Sequence, residues 1–155
     1  MGPLRHFVPL RVPVNWEAAA PMPVLIQSDY RTYLLFYSRE DDVVVIEWIH
    51  CAFASLMPPG DEGLEGHRYW RQGLAALGPY AAVELLSSDW PVDVLGERLA
   101  STSGHHYILE FHDSTFECVA EGYRAFRAKM SLGQALSAVV TCLDGGDLPR
   151  DIVPD

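Results

Sequence analysis

The chain has 155 residues, 49% of them hydrophobic, and a formal net charge of −10 at pH 7. That length suits one domain with a real core, and the apolar share excludes intrinsic disorder. The acidic balance argues against nucleic acid and anionic membrane as partners, since both require a basic footprint, and leaves a cation or a basic protein open.

No stretch reaches the roughly eighteen uncharged apolar residues of a membrane helix. The start, MGPLRHFVPLRVPV, lacks the apolar region of a secretory leader. Cys51, Cys118 and Cys142 form no CxxC pair, and their number is odd. They are expected as reduced thiols in a cytoplasmic protein.

Residues 1–23 carry Pro9, Pro13, Pro21 and Pro23, so at best a short edge strand is expected there. Trp16 would anchor the segment, and Glu17 to Ala20 could form one helical turn. Val24 to Gln27 is a short apolar run, followed by a turn at Ser28-Asp29-Tyr30-Arg31. Thr32 to Ser38 and Val43 to Ala52 are the strong strands, joined by a charged turn at Arg39 to Asp42. Their apolar runs predict a meander buried on at least one face. Glu47 sits inside the second run and requires a partner if it is buried.

Met57 to Gly66 is a Gly/Pro-rich acidic loop that matches neither a Walker loop nor a calcium loop. At its exit His67-Arg68-Tyr69-Trp70-Arg71 places a histidine, two arginines and two aromatics, with His67, Tyr69, Trp70 and Arg71 as the candidate binding set, because loops carry function more often than scaffolds do. Tyr69 and Trp70 could equally pin the loop to the core. Ala81 to Leu86 reads as a strand. Ser87-Ser88-Asp89 then offers capping oxygens for a short helix from about Trp90 to Ala100.

His106 to His112 and Thr115 to Ala120 alternate in the manner of strands, with Asp113 and Ser114 as turn formers. A two-residue turn would place Glu110 opposite Glu117 and His106 opposite Glu121. Tyr107, Leu109, Phe111, Phe116, Cys118 and Ala120 would then form a core face. The other face would gather His106, Ile108, Glu110, His112, Thr115, Glu117, Val119 and Glu121. Facing carboxylates push one pKa up, so Glu110, Glu117 and His112 are candidate acid–base residues. His106, His112 and Glu117 are candidate ligands for a divalent transition metal. The competing reading is the solvated face of a half-buried sheet, with no cofactor.

Gly122 is expected to break the strand, and Tyr123 to Met130 is ambiguous. Its Arg124, Arg127 and Lys129 could neutralise the acidic hairpin face. Ser131 and Gln134 fit a capping box, and Leu132, Leu136, Val139, Val140 and Leu143 form a stripe, so Ser131 to Leu143 should be a helix. Residues 147–155 read as a loose acidic tail. The expected architecture is a single α+β domain over 1–155. It would be mainly an antiparallel sheet of about six strands, with helices near 90–100 and 131–143.

The run HYILEFHDSTFECVA, with GHRYW and SSDW upstream, resembles a family of small uncharacterised bacterial proteins that carry an FHDSTFEC-like signature. The similarity spans Thr32 to Ala120. It implies relatedness and a bacterial cytosolic setting, and no mechanism. Two functions follow as expectations. One is a non-catalytic binding protein of accessory or immunity type, with a protein partner or self-association. The other is a small metal-dependent or acid–base enzyme using the hairpin's polar face. A small-molecule pocket between the sheet and the C-terminal helix is a third possibility.

Overall fold

The computed structural model describes residues 4–11, 22–38, 40, 42–58, 65–78, 81–86, 88–96 and 104–155. The expected Trp16 anchor, the turn at Glu17 to Ala20, most of the acidic loop, and the end of the first helix with the loop after it lie outside these residues.

Ten strands form two five-stranded antiparallel sheets among the described residues. The architecture is therefore closer to all-β than to the expected α+β fold with one sheet of about six strands. The chain divides into two compact units, Met1–Arg11 with Ala52–Ala120 and Val12–Cys51 with Glu121–Asp155.

In the first unit β1 (Phe7–Pro9), β5 (Phe53–Met57), β6 (Ala82–Leu85), β7 (His105–Glu110) and β8 (Thr115–Ala120) run in the order β1-β6-β7-β8-β5. Proline-bearing β1 is confined to an edge, where a missing ladder donor does least harm. Every residue of β8, and all of β7 after His105, is buried. Alternation in this hairpin therefore does not mark a solvated face. Tyr69, Leu74, Val83, Leu85 and Ile108 form a core cluster on it. Two short 3-10 turns, Trp70–Gln72 and Leu74–Leu77, carry Tyr69 and Leu74 into that cluster. The first helix, α1, spans Trp90–Leu95 and ends at Gly96, whose φ of 79° suits glycine.

The second unit contains β2 (Val24–Gln27), β3 (Thr32–Tyr37), β4 (Val43–Ile49), β9 (Gly122–Ala128) and β10 (Ile152–Pro154), in the order β10-β9-β4-β3-β2. The turn at 28–31 forms as expected: the Ser28 hydroxyl accepts the N–H groups of Tyr30 and Arg31 at 3.2 and 3.1 Å. Thr32 to Phe36 and Val43 to Trp48 are buried throughout, so the meander is covered on both faces.

Gly122 opens β9 rather than ending a strand, and β9 pairs with β4 along its whole length. Arginine on both of its faces hid the alternation. Arg124 turns to Glu47, while Arg127 meets Glu40, Asp42 and Asp155. The two arginines thus pair with carboxylates of their own unit rather than with the hairpin.

The C-terminal helix α2 (Leu132–Val140) carries the expected capping box of Ser131 and Gln134. The Leu132 N–H is taken up by the Tyr37 hydroxyl at 2.9 Å. Leu132, Ala135 and Val139 pack on Tyr33, Leu35, Val43, Val45, Ala128 and Ile152. Ile152 lies in β10, so the expected loose tail is a sheet strand with a buried anchor. Ile152→Ala should lower the unfolding free energy by about 2–4 kcal/mol in urea titration. A tail that contributed nothing would leave the midpoint in place.

Candidate functional site

The site begins with how the β7–β8 hairpin closes. Glu110 pairs with Thr115 and Ile108 with Glu117, which leaves a four-residue loop, Phe111–Ser114, closed by the Phe111 N–H on the Ser114 carbonyl at 2.8 Å. The tight two-residue turn would need positive φ, which neither Asp113 nor Ser114 adopts. The register therefore shifts by two residues. A shift of two keeps each side chain on its expected face but changes every partner. The Glu110–Glu117 and His106–Glu121 pairings do not form.

Glu117 is instead held by two imidazoles. Its Oε2 accepts from His106 Nε2 at 2.9 Å, and its Oε1 is bonded by His67 Nε2. Side-chain exposure is 8% for Glu117, 7% for His67 and 0% for His106. The donors around each ring assign the tautomers. His67 Nδ1 accepts the Tyr69 backbone N–H at 3.2 Å, so its proton sits on Nε2. His106 Nδ1 lies 2.6 Å from the Ser88 hydroxyl, whose oxygen already accepts the Trp90 N–H at 3.1 Å. Ser88 therefore donates its own proton to Nδ1, and His106 likewise presents Nε2–H to the carboxylate.

Burial alone would raise the Glu117 carboxyl. The hydrogen bonds from His106 and His67, with the charge of those rings when protonated, outweigh it and hold the group below the usual carboxylate range.

Aromatic rings seal this chain. Trp90 stacks on His106 with ring centres 4.3 Å apart and planes 10° from parallel. Tyr69 meets the same imidazole edge-on at 5.8 Å. The Arg68 guanidinium lies over the Tyr69 ring at 4.9 Å and the Trp90 ring at 5.8 Å. The Tyr69 hydroxyl is buried with no hydrogen-bond partner among the described residues.

Of the candidate acid–base residues, only Glu117 belongs to this cluster. Glu110 is buried and accepts the Ala81 N–H at 3.5 Å, and His112 sits in the hairpin loop beside Asp113. Of the candidate ligands, His106 and Glu117 bond each other and His112 stands apart. Among the described residues no group of three or more His, Cys, Asp or Glu is arranged to hold a metal. In the binding set, His67 joins Glu117 and Tyr69 packs on His106. Trp70 packs against the core cluster, and Arg71 is exposed. Ser88 was not singled out for this site. Ser88 had a legible signal as a capping oxygen, and that same oxygen reaches the histidine.

Because the folded Glu117 carboxyl titrates below its unfolded counterpart, its contribution is complete above the unfolded value. It drains away as pH falls through the folded one. Glu117→Gln should therefore destabilise the protein by about 1–3 kcal/mol near neutrality. Paired denaturation curves should show that gap closing in acid; a gap that widens would contradict the assignment. Tyr69→Phe removes an unsatisfied hydroxyl and should leave stability unchanged or raise it by up to about 1 kcal/mol. A clear loss in the same assay would mean that the hydroxyl has a partner. No family model matches the chain, and no curated protein or solved structure matches it either.

Proposed function

We propose that the protein is a non-catalytic binding protein of accessory or immunity type. The observation that carries this reading is the closure of the Glu117 cluster. Both carboxylate oxygens are engaged by histidine, and all three side chains are at least nine-tenths buried. A network satisfied in this way fastens structure. Here it ties the segment after the acidic loop, and the Ser88–Trp90 turn, onto the sheet. The net charge of −10 favours a basic protein surface as the partner.

The test is capture by the tagged full chain from the cells that make it, followed by reconstitution with the purified candidate. A stoichiometric complex that weakens with salt supports the reading. Glu117→Gln should bind equally well at temperatures where it remains folded. A purified chain that stays a lone monomer and forms no complex would overturn it.

One observation favours a second reading, an acid–base enzyme on the same face. Ser88 Oγ, His106 and Glu117 form a line with separations of 2.6 and 2.9 Å. In that order the imidazole could accept the serine proton at Nδ1 while Glu117 holds the ring through Nε2, a nucleophile–base–carboxylate series with the two ring nitrogens exchanged relative to the usual triad. An active-site phosphonate should then label the wild type and not Ser88→Ala. Absence of labelling on the folded wild type would remove this alternative.

A further inference from the structure

The second unit has a cleft of about 420 Å³ beside the C-terminal end of α2, lined entirely by that unit's own residues. Small-molecule sites commonly occupy roughly 300–1,000 Å³. Its floor is set by register, since Tyr33 pairs with Glu47 and Glu47 with Arg124 across three adjacent strands. Phe126, Leu148 and Ile152 supply apolar wall, and Asp147 and Arg150 stand on the segment that follows α2.

Two features point to a ligand. Tyr33 is 1% exposed, yet it lines the cleft and its hydroxyl makes no hydrogen bond to any described residue. Burial first, and then the Glu47 charge, push this phenol up to about 12, so it remains a donor across the physiological range. The second feature is unspent cation. Arg31 is committed to Glu47 and the Gly145 carbonyl. Among the described residues Arg124 meets Glu47 through Nε alone, at 3.5 Å, and its side chain is 59% exposed. Arg150 is exposed and has no ion-pair partner among the described residues.

We propose that this cleft binds a small organic monocarboxylate: its carboxylate on Arg150 and Arg124, its apolar body against Phe126, Leu148 and Ile152, and an acceptor atom on Tyr33. The charge count selects the class. Three arginines face Glu47 and Asp147, an excess of one positive charge in a chain of net −10. A monoanion matches that excess, whereas a dianion such as phosphate would meet two resident carboxylates. The planar arginine fork suits a carboxylate, and the walls require an apolar remainder. The site does not depend on the partner reading of the first unit.

The experiment titrates isotope-labelled full-length protein with phenylacetate, phenylbutyrate and hexanoate, with the corresponding amides, and with inorganic phosphate, following backbone amide signals. At least one carboxylate should saturably shift residues 146–152 and the neighbours of Tyr33. Its amide should bind about tenfold more weakly or not at all. Arg150→Gln, an exposed substitution, should weaken binding by a similar factor. Tyr33→Phe should weaken it several-fold while the melting temperature stays near that of the wild type. No saturable shift with any carboxylate, equal binding of amide or phosphate, or unchanged affinity in Arg150→Gln would each overturn the proposal.

Discussion

A carboxylate buried in a sheet keeps its charge only where donors replace the water it has lost. Among the described residues Glu47, Glu110 and Glu117 are buried in strands, and at Glu117 and Glu47 the solution organises its surroundings. Glu117 lies on β8 with both oxygens taken by imidazole N–H groups. Through His67 it fixes the segment that carries Tyr69 and Leu74 into the first unit's core. Through His106 it fixes Ser88 and the start of α1, with Trp90 laid flat on the ring. The carboxylate thus fastens both elements to β8.

Glu47 solves the same problem with guanidinium groups from Arg31 and Arg124. Those donors stay charged at any ordinary pH. The choice of arginine also has a by-product. Two cations around one carboxylate leave positive charge over, and the Glu47 field adds to burial in keeping Tyr33 protonated. The second sheet's ion pair thereby shapes the chemistry of the cleft beside it.

Much of the fold was legible because its signals are local. The turn at Ser28, the runs of β3 and β4, the β7–β8 hairpin and the α2 capping box each sit within a few consecutive residues. What escaped depends on distant partners. β9 was obscured because Arg124 and Arg127 point to opposite faces, and each is neutralised by carboxylates remote in sequence. β10 contributes only Ile152 to the core, too short a signal to stand out in an acidic tail. β5 follows a break at His50, whose φ of 46° lets the chain leave one sheet before it enters the other. The hairpin register needed the geometry of a loop that side-chain types alone do not specify.

The hairpin's polar face shows why a site is harder to find than a fold. Alternation of polar and apolar residues is the same whether the polar side chains meet water or one another. What separates the two cases is the presence of complementary donors elsewhere in the chain, here His67 fifty residues before Glu117 and Ser88 eighteen before His106. Neither spacing follows from helix or strand periodicity. The useful cue was chemical: a glutamate and a histidine inside an otherwise apolar, β-branched run must be satisfied if the strand is buried. The polar residues just outside the regular elements then become the natural partners. By that criterion His67, at the mouth of the acidic loop, and Ser88, at a helix start, belong to the hairpin. His112, half-buried in the hairpin's own loop, bonds to neither Glu117 nor His106 in the contacts described above, although it is near in sequence.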